Sequence, residues 1–155
     1  MPSVRMQIFA AVAAKLELVR AGLDWNQVIR NPRELVGEDQ YNTLVMMDGG
    51  AREPDGLSGY VQESELEFSV AVMVMERNGD LAEDLLDAGF VAVSNKLVDP
   101  TDIQLGGIAI GIRRTGMSDP VIGRSPHGAR VVGGQSIDFA VKYLEREGDA
   151  ELPGP

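Results

Sequence analysis

The chain has 155 residues, a formal net charge of -10, and 44% hydrophobic against 25% charged residues, the make-up of one soluble globular domain. At this length folding buries on the order of 69% of the unfolded surface. The absence of cysteine excludes a disulfide framework, a zinc ribbon, a thiol nucleophile and an iron–sulfur cluster, and it points to assembly in a reducing cytoplasm.

From residue 4 to about 19 the apolar side chains Val4, Ile8, Val12, Leu16 and Val19 recur at the spacing of one helix face. Ser3 is the expected N-cap and Gly22 the expected left-handed end, with Trp25 in the connection that follows. The start of the chain lacks the apolar stretch and cleavage site of a secretory signal. A short extended segment at 28–30 closes at Asn31-Pro32, and a strand at 42–47 is expected to stop at Asp48-Gly49-Gly50. The Gly, Pro and Asp content up to 59 then reads as a loop.

The clearest strand spans 66–75, where Leu66, Phe68, Val70, Val72 and Val74 alternate with Glu67, Ser69, Ala71, Met73 and Met75. One face is core, and the other begins polar and turns apolar, which suits cover by loops or by another chain. This apolar run is too short to cross a bilayer. Asn78-Gly79 predicts a turn, and Asp80 followed by Glu83 resembles a capping box. A second helix is expected over 81–98 with Leu86, Phe90, Val93 and Leu97 inward, ended by Asp99-Pro100. Gly89 inside it costs about 1 kcal/mol against Ala, which predicts close packing there.

Two more alternating strands are expected at 108–114 and 136–144, separated by a long loop at 116–134 that holds five Gly and two Pro. The predicted fold is a single α+β domain over 1–148, with a mixed, mainly antiparallel sheet of four to five strands and two helices packed on one face. Residues 149–155 show no apolar period and are expected to form a mobile tail.

The charge is unevenly spread. Residues 61–102 hold ten acids and two bases, whereas 103–134 hold Arg113, Arg114, Arg124 and Arg130 against Asp119 alone. Such asymmetry suits copies that meet head to tail, while a solvated surface accounts for it equally well. So acidic a body is a poor match for tight binding along nucleic acid.

Catalytic candidates are thin. His127 is the single histidine, it falls in the long loop, and a base there lacks rigid support. Ser58 and Ser125 lack the nucleophile-elbow pattern, and no phosphate-cradling or dinucleotide-binding glycine run is present. Glu83, Asp84 and Asp87 suit the N-terminal turns of a helix, and Asp48 and Asp55 miss the spacing of a calcium loop. No catalytic residue, cofactor or metal ligand is therefore assigned. Met46, Met47, Met73 and Met75 could form an adaptable contact surface or fill the core.

The order of these local features resembles the tail terminator and tail completion proteins of long-tailed bacteriophages and of phage-derived gene transfer agents. The features are the helix opening Val4-Arg5-Met6-Gln7-Ile8-Phe9-Ala10-Ala11-Val12, the Val28-Ile29-Arg30-Asn31 strand end, and the Leu44-Val45-Met46-Met47-Asp48-Gly49-Gly50 strand and turn with an acid-rich, Gly-containing loop after it. Then follow the alternating strand at 66–75, a helix ending Leu97-Val98-Asp99-Pro100, the Leu105-Gly106-Gly107 turn and a last strand ending Tyr143-Leu144-Glu145-Arg146-Glu147-Gly148-Asp149. Together they cover nearly the whole chain.

The resemblance implies a non-enzymatic virion protein, assembled in the host cytoplasm. Its expected form is a ring, a hexamer in the family, that caps the head-proximal end of the tail tube, stops tube polymerisation and offers the head-joining surface. Its implied partners are further copies of itself, the tail tube protein and the head–tail connector, with DNA passing through the lumen unbound and no membrane involved. The expected contact residues are Arg113, Arg114, Arg124, Arg130, Met73 and Met75. The loop 116–134 is richer in Arg and Gly than the family pattern. A head–tail connector subunit of the same particle is the alternative, and a small ligand-binding domain or hydrolase is a more distant one.

Overall fold

In the computed structural model, which describes residues 2–52, 61–125, 130–146 and 149–153, the opening periodicity folds as α1, Val4–Leu23. Ser3 caps it, its hydroxyl accepting from the Met6 amide at 3.3 Å. The left-handed end falls on Asp24 (φ 55°) rather than Gly22, because Trp25 turns back to donate its amide to the Arg20 carbonyl and buries its indole in the core. All five side chains of the expected stripe are buried.

The strands are β1 (Gln27–Arg30), β2 (Thr43–Arg52), β3 (Val61–Met75), β4 (Gly111–Met117), β5 (Val121–Arg124), β6 (Val131–Arg146) and β7 (Asp149–Pro153), with α2 (Ala82–Leu97) between β3 and β4. They form one sheet in the order β1-β2-β3-β6-β4, and β5 and β7 also pair with β6. β1 runs parallel to β2 and every other pair is antiparallel, so the sheet is mixed and mainly antiparallel. α1 packs on β1 and β2, α2 packs on β3 and β6, and the helices touch each other. This is an α+β fold with both helices on one face.

Several elements differ from the sequence expectation. β2 runs through Asp48-Gly49-Gly50 and absorbs it as a register shift between Asp48 and Ala51. β4 begins at Gly111, since a 3-10 turn at Leu105–Gly107 with Gly106 at φ 72° occupies the preceding residues. Of the expected loop 116–134, residues 116–117, 121–124 and 131–134 are paired strand, and 126–129 lie outside the described residues. β4 and β5 lie end to end along one edge of β6, opposite residues 142–137 and 134–131, and only 118–120 interrupt them. The terminal stretch expected to be mobile contains β7, which pairs with Glu145 and Arg146 of β6.

The start of α2 is also built differently. Asp80 pairs with Arg77 through the backbone, its amide donating to the Arg77 carbonyl, Leu81 takes the cap position without a side-chain bond, and Glu76, directly after β3, accepts from the Ala82 amide at 2.8 Å. A carboxylate thus meets the positive end of the helix from outside its own turn. Gly89 does mark close packing: a Cβ there would lie 2.6 Å from Val72 and 2.7 Å from the Trp25 ring.

Candidate functional site

The helix-facing rows of the sheet hold Leu66, Phe68, Val70, Val72 and Val74 of β3, paired across to Ile137, Phe139 and Val141 of β6. Phe68 and Phe139 stack with centroids 5.3 Å apart. This rigid core presents two further surfaces, the outer edge of β4 and β5 and the sheet face without helices.

The β4–β5 edge has no strand partner beyond β6 among the described residues. Four large apolar side chains on or beside it stay in solvent: Ile110, Met117, Val121 and Ile122, the last two 71% and 38% exposed. Unpaired strand edges of this kind template pairing with another chain unless charge or cover blocks them. Between the edge and α2 lies a groove of about 310 Å³, floored by Leu86 and Phe90 and walled on the strand side by Met117, Pro120 and Ile122. Glu83 and Asp87 form its helix-side rim, and the Arg114 guanidinium sits 5.0 Å over the Phe90 ring. Phe90, expected inward, is only half-buried, and sequence periodicity gave no sign that the β4–β5 edge would stop short of covering it.

On the other face, β3 offers Glu63, Glu65, Glu67, Ser69, Ala71, Met73 and Met75, all of intermediate exposure. Asp138 and Lys142 of β6 and Arg113 of β4 are exposed beside them. The acids are partly neutralised within the chain: Arg113 donates to Glu65 at 2.8 Å and Lys142 lies 3.8 Å from Glu63. A second cleft of about 390 Å³ on this face is bordered by Met47, Glu67, Ser69, Thr115 and Asp138.

The expected contact residues therefore do not form one patch. Arg113 and Arg114 are neighbours on a strand and point to opposite faces, one to Glu65 and one to Phe90. Arg124 is exposed at the end of β5. Arg130 lies near Met75, with Nη1 3.9 Å from the sulfur, while Met73 is half-buried two residues away. The acidic 61–102 and basic 103–134 stretches are also not on opposite flanks. β3 and β4 both border β6, so part of their opposite charge meets inside one chain.

Asp48, considered above for metal binding, accepts from Arg30 Nη2 at 2.9 Å and Nε at 3.3 Å. Arg30 also lies 5.3 Å over Phe9 of α1, which ties β1 and β2 to the helix. His127, Ser58 and Asp55 lie outside the described residues. Ser125 is buried just beyond β5, with its amide bonded to the Arg130 carbonyl. Among the described residues no three His, Cys, Asp or Glu side chains stand close enough to hold a metal ion, and no helix there is long and apolar enough to cross a membrane.

The most concentrated polar cluster joins α1 to the segment after α2. Lys15, 9% exposed, places Nζ 3.0 Å from the Asp102 carboxylate and 3.3 Å from its carbonyl oxygen. The Gly106 amide, then Lys15, hold the Asp102 carboxyl below its ordinary value, and the Thr101 amide and hydroxyl do the same for Asp99. The cluster fixes the turn that launches β4, so its role is architectural. Comparison with models of known families and with curated proteins finds no match to this chain.

Proposed function

We propose that this chain is a structural virion protein that closes into a ring on the head-proximal end of a phage or gene transfer agent tail tube. There it stops tube growth and presents the surface to which the head joins. The reading begins from the order of local features set out in the sequence, and the α+β fold with both helices on one face agrees with it. The observation that carries it is the β4–β5 edge, unpaired among the described residues, with its exposed Ile110, Met117, Val121 and Ile122, an apolar surface suited to a neighbouring subunit.

A ring of identical copies needs two different patches on each copy, placed so that the rotation closes. The β4–β5 edge supplies one such patch, and a different surface of the next copy must supply the other for a ring instead of a two-fold dimer to form. The net charge of -10 suits a lumen through which DNA slides, since it repels phosphate instead of holding it. The test is to incubate the purified protein with tail tubes and view them by negative stain. Rings at one end of each tube are expected, and tubes left bare, with the protein monomeric in their presence, would refute the proposal.

A further inference from the structure

Among the described residues, two apolar features without a partner lie at opposite edges of the sheet. The first is Leu35, at 98% the most exposed large apolar side chain described. It stands in the crossover of residues 31–42 between the parallel strands β1 and β2, directly after Arg33 and Glu34. The second is the groove between α2 and the β4–β5 edge. β1 and β4 are separated by four strand spacings, roughly 19 Å at about 4.8 Å each, so the two features belong to different sides of one subunit.

Both features are apolar and bordered by charge. The groove, about 310 Å³, has room for a branched aliphatic side chain over Leu86 and Phe90. Its helix-side lining carries the anions Glu83 and Asp87, and Arg114 of β4 stands beside it, its guanidinium 5.0 Å over the ring of the lining Phe90. Leu35 is directly preceded by one charge of each kind, Arg33 and Glu34.

We propose that Leu35 of one copy seats in the α2/β4–β5 groove of the next, with Arg33 toward Glu83 and Asp87 and Glu34 toward Arg114. The contact is heterologous, so each copy uses its plug on one neighbour and its groove on the other, and the assembly closes or propagates. This rests on the ring reading for the identity of the occupant and adds the two surfaces that make the joint.

The chain has no cysteine, which makes the joint directly testable. A Leu35→Cys chain is mixed with a Met117→Cys chain and treated with a short bismaleimide; both positions are exposed, so folding is undisturbed. A crosslinked dimer of one chain of each kind is expected, and the double variant gives a ladder that ends at the ring. Crosslinking no greater than that of an Asn95→Cys control, or equal crosslinking of Leu35→Cys with itself, would overturn the proposal.

In a second measurement, Leu35→Glu and Ile122→Glu each weaken self-association by more than roughly thirtyfold, as for loss of an interface anchor. When mixed they recover dimers but nothing larger, because each retains one intact side. Wild-type oligomers that survive in Leu35→Glu would sink the plug while leaving the ring reading standing. A wild-type chain that stays monomeric at millimolar concentration would also sink the plug, whereas the capping role is judged separately from tail length in particles.

Discussion

Replacing Gly89 by Ala sets two effects of known sign against each other. In a helix interior the change gains about 1 kcal/mol of propensity. The new Cβ, however, would stand 2.6 Å from Val72 Cγ1 and 2.7 Å from Trp25 Cη2, where ordinary contact begins at 3.4 Å. The neighbours must retreat by about 0.8 Å (Val72) and about 0.7 Å (Trp25), the differences between those distances. Neither moves freely, because Val72 is 0% and Trp25 4% exposed and the core is packed to crystal-like density. Overpacking of this kind costs roughly 1–3 kcal/mol, so Gly89→Ala is expected to destabilise by about 1 kcal/mol net. For a chain of this size that is a fall of about 3 °C in Tm. Gly22→Ala is the control: it lies in α1 with nothing within 4 Å of the added carbon, and it should be neutral or stabilising. Urea unfolding followed by the emission of the single tryptophan reads both variants. If Gly89→Ala raised the midpoint as much as Gly22→Ala, the packing of α2 onto β3 through Trp25 would be wrong.

The cap of α2 separates sequence from structure in the same assay: Glu76→Ala should cost about 1 kcal/mol through loss of the bond to the Ala82 amide, whereas Asp80→Ala should cost less. Because Asp102 is held below its ordinary value of 3.8 in the folded chain, its contribution is fully present above that value and lost as pH falls through the lower folded one. Asp102→Asn should therefore be less stable than wild type at neutral pH and show a flatter acid limb, measured as unfolding midpoint against pH. Arg113→Ala removes a pair whose arginine is 58% exposed, so its cost should stay below about 1 kcal/mol. A larger loss in thermal unfolding would show that the open face is held together by that pair.

Elements whose signal is local were legible in the sequence. The stripe of α1 and the alternation of β3 each repeat at the period of their own backbone, and the buried side chains follow them. What escaped depends on partners far along the chain. Val121-Ile122-Gly123-Arg124 is too short and too interrupted to read as a strand, yet β6 offers it the same edge that β4 occupies, one residue further out of register. Gly133 reads as loop, but a Cβ there would stand 3.0 Å from Leu86 and 3.3 Å from Val74, so the residue is what lets α2 lie against β6. Glu76 caps α2 from directly after a strand, outside the turn where a capping box is sought. The arginines were legible as a cluster in sequence, but strand alternation divides Arg113 from Arg114, and the groove exists only because α2 and β5 come together.

The proposed role is tested most directly by electron microscopy of particles produced without this gene. Tubes of uncontrolled, excessive length lacking heads are the predicted product, and complementation by the intact chain should restore both normal length and head attachment. Tails of normal length in its absence would contradict termination of tube growth.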